Sequence, residues 1–188
     1  MPVIEIGHDV VYYHFNREND IKFIKIYLDD LNGIVVTAPC NKSRHDAELF
    51  LKKKADWINE KWTKLHHDLY QLSFSSIMYL GRRYKVIPLE ITDQSSSSFI
   101  FSKGKFIFSY SKHLEADERE DLYKRKTAEW LKKKSEQRFK QLSAVSSADD
   151  YRLGRKDRGS IHLNWRLVKR SKKHIQTVID DLKNEKTY

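Results

Sequence analysis

Cysteine, proline and glycine are all scarce in this 188-residue sequence, which has one Cys, three Pro and six Gly. The single cysteine, Cys40, excludes an intramolecular disulfide and a zinc ribbon built on cysteines, and it favours a reducing compartment. No apolar run approaches the roughly 20 residues that a membrane helix needs. The N-terminus also lacks the basic-then-apolar layout of a signal peptide. We therefore expect a cytoplasmic protein that does not enter a membrane.

The sequence also lacks the short motifs that mark common catalytic sites. It has no nucleophile elbow, no Walker loop and no dinucleotide fingerprint, and its glycines occur singly. Four histidines have no partner at the spacing of metal ligands, and we expect them at the surface or at helix ends: His66, His67, His162 and His174. The chain thus carries no complete catalytic or metal-binding motif of its own.

What the sequence does have is an excess of positive charge on a chain able to fold. Lys and Arg number 36 against 26 Asp and Glu, which gives a formal net charge of +10. Aromatic residues make up 12% of the chain, so the charge decorates a packed body and does not indicate disorder. The length suits one domain. A polyanionic partner, namely DNA, RNA or a nucleotide, is the class that this charge favours.

Hydrophobic periodicity predicts an α+β fold, with an antiparallel β meander and hairpins packed against long amphipathic helices. Residues 10–39 alternate and are punctuated by turn residues, which predicts the meander. Residues 43–72 have the period of one long helix, which Ser43 and Asp46 can cap. A second β section follows, with a hairpin whose turn is SKGK.

The second half of the sequence predicts two further helices. The longer one starts near Ser111 or Asp117 and runs to about Val145. A loop over residues 146–159 and a strand over residues 161–168 come next. The last segment is a short amphipathic helix, because four apolar residues recur at helical spacing: Ile175, Val178, Ile179 and Leu182.

Three strings in this pattern resemble those of the YgjP-like metal-dependent hydrolases, relatives of the SprT-like zinc metallopeptidases. They are YLGRRYKV at residues 79–86, RLGR at 152–155, where the family usually has R-W-G-S, and GSIHLNWRLV at 159–168. The likeness spans nearly the whole chain. It implies a single domain over residues 1–188, with a β-rich part to about residue 110 and a helical, metallohydrolase-like part from about 111, ending in a zincin-like helix.

The resemblance implies a zinc site, but the motif that would form it is altered. In the family the strand precedes a helix with H-E-x-x-H, in which two histidines bind Zn²⁺ and the Glu acts as base. Here Asp180 and Asp181 occupy the first His and Glu positions, and Asn184 occupies the second His position. Only four residues follow Asn184, so we do not expect the further ligand from this C-terminus. Leu153 and Arg155 also replace the Trp and Ser of R-W-G-S.

We therefore predict no metal, no cofactor and no confident catalytic residue. A small hard-cation site at Asp180, Asp181, Asn184 and Glu185 is the alternative that their spacing leaves open. The basic residues that flank the family's active-site groove form the predicted nucleic-acid-binding set: Arg152, Arg155, Lys156, Arg158, Lys169, Arg170, Lys172 and Lys173. The lysine runs at 52–54 and 132–134 are interpreted as solvated helix faces or further contacts.

Three functional hypotheses follow from the sequence. The first is a hydrolase scaffold without zinc that acts as a binding or regulatory module, with a basic groove for nucleic acid or nucleotide. The second is an active metal-dependent hydrolase, a zinc peptidase or a nucleoside triphosphate hydrolase, whose site is rebuilt from other ligands or from another subunit. The third is a shortened product that keeps the fold without a selected role.

Overall fold

Alternating side chains in the first forty residues form a four-stranded sheet. The computed structural model describes residues 2–6, 9–92, 97–148 and 151–184. The strands lie in the order β1-β2-β4-β3, and their bounds are Val3–Ile6 for β1, Asp9–Glu18 for β2, Lys25–Asp29 for β3 and Gly33–Pro39 for β4. The β2 and β4 strands are parallel, whereas a meander would pair neighbours antiparallel. The pairing differs from that of a meander because β3 lies at the edge of the sheet and not between β2 and β4. The side chains of β3 are exposed or half-buried there.

The helical segment after β4 bends twice. Its three parts are α1 (Arg44–Lys53), α2 (Ala55–Leu65) and α3 (His67–Tyr70). The predicted cap is present, since the Ser43 side chain accepts from the Asp46 amide and Asp46 accepts from the Ser43 amide. The predicted single helix is wrong at Lys54 and His66, which leave the helical region. The bends let the apolar faces of α1 and α2 both pack on the first sheet.

The second sheet is built from two hairpins in the order β5-β6-β8-β7. Its strands are β5 (Ser76–Tyr79), β6 (Arg82–Ile91), β7 (Ser98–Ser102) and β8 (Lys105–Ser111). The predicted SKGK hairpin is confirmed, with Ser102 paired to Lys105. The first hairpin turns at Leu80 and Gly81, whose φ angles of 48° and 77° are those of a tight two-residue turn.

The second half combines two helices with a small third sheet. Helix α4 (Ala116–Lys140) ends before Val145, because Ala144 begins a strand: β9 (Ala144–Ser147), β10 (Gly154–Asp157) and β11 (Ser160–Asn164) lie in the order β10-β11-β9. The predicted loop therefore contains β10, and the predicted strand ends at Asn164, where a 3-10 helix (Trp165–Lys169) begins. Helix α5 (Lys172–Asn184) follows, as predicted.

Two clusters of buried apolar side chains hold these layers together. One lies between the first sheet and the helices α1 and α2, and the other lies among the second and third sheets, α4 and α5. Tyr70 packs against both clusters, and the Leu153 amide donates to the Asp30 carbonyl at 2.7 Å, so the clusters are joined. The predicted α+β class is confirmed. No helix among the described residues is long and apolar enough to cross a membrane.

Candidate functional site

Helix α5 has one buried face and one face in solvent. Its four predicted apolar residues are each at most 4% exposed, and they pack toward β10 and β11: Ile175, Val178, Ile179 and Leu182. Asp180, Asp181 and Asn184 therefore point away from the core and are exposed. The Asp180 carboxylate accepts a hydrogen bond from Gln176 Nε2 at 2.8 Å. The helix that resembles the family's metal helix thus presents these side chains outward.

The donor set at this helix does not fit a zinc centre. Zinc sites in proteins are closed by imidazole, thiolate and carboxylate ligands that converge on one point. Asp180 and Asn184 share a helix face, but this face offers only carboxylate and amide oxygens. Within residues 2–6, 9–92, 97–148 and 151–184, no three His, Cys, Asp or Glu side chains are grouped so that they could hold a metal ion. Glu185, part of the alternative hard-cation site, lies outside the described residues.

The eight predicted nucleic-acid-binding residues differ in burial, and Arg152 and Arg170 are among those engaged within the chain. Arg152 is 4% exposed, and its guanidinium lies 5.4 Å from the centre of the Tyr12 ring. Its side-chain stem packs beside Gly33. Arg170 is half-buried and ion-paired with Asp68, whose Oδ1 accepts from Nη2 at 2.7 Å. These guanidinium groups stabilise contacts between segments.

Lys169 is engaged within the chain as well and is 3% exposed. Its ammonium group donates to the carbonyl oxygens of Leu69 at 2.6 Å, Gln71 at 2.9 Å and Asp68 at 3.5 Å. These carbonyls belong to the end of α3 and the residue after it, where a helix leaves acceptors unpaired. Burial, with a smaller contribution from Arg166, lowers the pKa of Lys169 to about 8. The lysine thus fastens α3 to the end of the 3-10 helix.

The other five predicted cations differ in exposure. Lys156, Arg158, Lys172 and Lys173 are exposed, whereas Arg155 is half-buried and interacts within the chain. Lys172 and Lys173 open α5, whereas Lys156 and Arg158 lie toward the tip of the β10–β11 hairpin. Gly154 at the base of that hairpin approaches Leu182 near the other end of α5.

Two arginines that the sequence analysis did not assign to a site lie near the start of α5. A Cβ at Gly81 would come within 2.8 Å of the Ser171 Cα, so the β5–β6 turn touches the residue before α5. Arg82 and Arg83 follow that turn and are exposed. The signal was present in the sequence as GRR followed by distant KK, but only the fold brings the two strings together.

His66 lies at a helix end, as predicted, because it follows α2 and precedes α3, but it is buried. It is 5% exposed, its ring lies 4.2 Å from the Trp62 ring, and its Nε2 is 3.1 Å from Asp30 Oδ1. The imidazole beside it holds the pKa of the Asp30 carboxyl below its ordinary value. His174 is half-buried next to Arg170, and burial lowers its pKa, with Arg170 adding to the effect. This network joins the β3–β4 turn, α2 and α5.

The strings that suggested a family also have defined structural roles. Asn164 is 1% exposed; its Nδ2 donates to the Arg152 carbonyl at 3.0 Å, and its Oδ1 accepts from the Arg166 amide at 3.0 Å. It therefore caps the 3-10 helix and holds the RLGR loop. Gly154 in that loop allows α5 to approach closely, since a Cβ would meet the His162 carbonyl at 2.8 Å and Leu182 at 2.9 Å.

A comparison with protein-family models decides what these strings mean. The YgjP-like model, described as a metallopeptidase domain, matches residues 22–179. The chain belongs to the YgjP-like family. The match runs from the first sheet into α5 and ends one residue before Asp180. The YgjP-like scaffold is thus established up to that residue, while Asp180, Asp181 and Asn184 lie beyond the matched segment. Neither a comparison with curated proteins nor one with solved structures gives a match.

Proposed function

We propose that this YgjP-like chain is a non-catalytic binding module for nucleic acid or a nucleotide. The observation that carries the proposal is the group of exposed cations where the β5–β6 turn meets α5: Arg82, Arg83, Lys172 and Lys173. Exposed cations on two neighbouring segments suit a chain of phosphates, because each neutralised phosphate releases condensed counterions. We refer to these four residues as the turn–helix cations.

Folding does not account for the charge at the start of α5. The first turn of a helix is the positive end of the macrodipole, and Asp or Glu there is stabilising. The first turn of α5 has no acidic residue and has Lys172 and Lys173 instead. Among the described residues, neither lysine has a carboxylate within ion-pair distance. A bound anion would relieve this repulsion, and this supports a phosphate-bearing partner.

The non-catalytic part of the proposal rests on the outward face of α5. Asp180, Asp181 and Asn184 supply oxygen donors in open solvent, and Asp180 is engaged by Gln176. No step of metal-dependent hydrolysis follows from such a donor set. We expect this face to act as surface, whereas the turn–helix cations act as the contact.

A binding titration tests the proposal. Fluorescence anisotropy with a labelled oligonucleotide, repeated from low to high salt, should give a log–log slope that grows with the number of phosphates contacted. The double variant Lys172→Ala/Lys173→Ala should reduce that slope by up to about 2 and weaken binding of every sequence alike.

The control is Lys52→Ala/Lys53→Ala, which removes the same charge from two exposed lysines at the end of α1. It should leave the slope unchanged. The proposal is wrong if no oligonucleotide binds at low salt, or if the α1 variant weakens binding as much as the α5 variant does.

A further inference from the structure

A cluster of aromatic rings reaches the surface beside the turn–helix cations. Phe101 of β7 is at its centre, with its ring 4.9 Å from that of Tyr84, 6.3 Å from that of Tyr79 and 6.1 Å from that of Trp130. The fully buried Phe106 supports it from below at 4.9 Å. We call Tyr79, Tyr84, Phe101 and Trp130 the ring cluster.

The ring cluster is not fully enclosed by the described part of the chain. Phe101 is 37% exposed, and the other three rings are half-buried. Exposed aromatic surface is costly in water, and a contiguous patch of it commonly marks a site of interaction. Phe101 is the ring that a partner could stack on.

Cations border the ring cluster. The Lys134 ammonium lies 5.7 Å from the centre of the Trp130 ring. Four residues of α4 recur at every fourth position and so share one stripe of the helix: Lys126, Trp130, Lys134 and Arg138. Burial raises the pKa of Tyr79, and Arg138 is close enough to act against that rise. Glu129 is the acidic residue next to Trp130, and it lies 3.9 Å from Lys126. The rim of the cluster is therefore positively charged.

The ring cluster is continuous with Arg82, one of the turn–helix cations. Tyr79 and Arg82 are directly paired across the β5–β6 hairpin, so their side chains share one face of the sheet, and Tyr84 shares it too. The turn between them is fixed to the end of the 3-10 helix, because the Leu80 amide donates to Val168 at 2.8 Å. One partner could thus contact the cations and the rings together.

We propose that the partner is a single-stranded nucleic acid whose bases stack on the ring cluster while its phosphates contact the turn–helix cations. This inference rests on the proposed function and narrows its ligand. Proteins that bind single strands combine a positively charged path for the backbone with aromatic platforms for the bases. A duplex cannot offer its base faces in this way, since they are stacked inside the helix. The rings therefore add affinity for a single strand only.

The test compares a single-stranded oligonucleotide with a duplex of the same length. Phe101→Ala should weaken binding of the single strand by about 5- to 150-fold, as expected from losing one stacked base. Binding of the duplex should change less than about twofold. Phe101→Leu retains apolar bulk but lacks a flat ring, so it should also lower single-strand affinity. It replaces Phe101→Ala in the test if that variant proves unstable.

The matched control is Ile100→Ala. Ile100 is the neighbour of Phe101 on β7, is 48% exposed and points to the opposite face of the sheet. It should leave both affinities unchanged. A second readout follows tryptophan emission, which single-strand binding should quench. Trp130→Phe should remove most of the quenching while it keeps binding by anisotropy, whereas loss of fold would abolish both.

The outcomes separate this inference from the proposed function. If both nucleic acids bind with a salt slope and the Phe101 variants bind the single strand normally, the stacking inference is wrong and the proposed function stands. If neither nucleic acid binds at low salt, the proposed function fails as well. Equal losses with Ile100→Ala, or tighter binding to anionic lipid vesicles or an acidic peptide with the same dependence on Phe101, would also overturn the inference.

Discussion

The buried ammonium of Lys169 gives the sharpest prediction about stability. Its folded-state pKa is lowered to about 8 from the ordinary lysine value of 10.5, mainly by burial. Between these two pH values the unfolded chain binds more protons than the folded chain, so the free energy of unfolding rises with pH. The unfavourable contribution is fully present below pH 8 and fades as pH approaches 10.5.

The magnitude follows from the size of the shift. A difference of 2.5 between the two pKa values corresponds to about 3 kcal/mol at roughly 1.4 kcal/mol for each pKa unit. The carbonyl groups of Leu69 and Gln71 accept from the ammonium form and act against the shift. We therefore take about 3 kcal/mol as the upper limit of the gain in stability from pH 7 to pH 10.5.

The assay is urea denaturation of the protein and of Lys169→Met at several pH values from 7 to 10.5. The variant lacks the titrating group and leaves carbonyls unpaired, which costs about 1 to 3 kcal/mol for each buried acceptor. Because all other groups titrate in both proteins, the difference in unfolding free energy should widen with pH. Lys61→Met, at an exposed lysine within α2, should give a constant difference. Parallel curves for the protein and Lys169→Met would refute the reasoning.

Two further predictions concern the turn at α5 and the metal question. Gly81→Ala should destabilise the protein by more than Gly104→Ala. Both glycines have φ near 75°, which costs an alanine about 1 kcal/mol or more, but only a Cβ at Gly81 would meet backbone, at 2.8 Å from Ser171. Equal losses of stability in thermal denaturation would contradict the close approach. Asp180→Ala should change stability by less than about 0.5 kcal/mol, and chelation with EDTA should leave the thermal midpoint unchanged. Stoichiometric zinc in elemental analysis, lost with hydrolytic activity in Asp180→Ala or Asp181→Ala, would instead favour an active hydrolase.

Elements with a strong local pattern were predictable from the sequence. The apolar stripe of α5 and the SKGK hairpin follow from periodicity and turn chemistry over a few residues. The parallel pairing of β2 with β4 did not follow, because parallel partners are set by where the intervening chain goes. The short strand β10 has the sequence GRKD, which offers no hydrophobic alternation. Its place is set by pairing with β11 and by the approach of α5 to Gly154.

At the candidate site, the sequence likewise did not predict which charged side chains are exposed. Lys169, Arg170 and Lys172 lie within four residues of sequence and have three different environments. Lys169 points inward to backbone carbonyls, Arg170 is paired with Asp68, and Lys172 is exposed. Composition gives the number of charges but not their directions, which depend on where the 3-10 helix ends and α5 begins. For this reason the cations of Arg82 and Arg83, far away in sequence, could only be joined to Lys172 through the fold.

Family membership and metal chemistry depend on different parts of the chain. Asn164 and Gly154 are buried, and each is required by a hydrogen bond or a close approach that the fold cannot lose cheaply. Asp180, Asp181 and Asn184 are exposed, so folding places little constraint on which side chains stand there. A chain can therefore keep the YgjP-like scaffold whatever residues occupy those positions. It follows that the family alone does not determine whether this chain hydrolyses anything, and the activity has to be tested at the outward face of α5 itself.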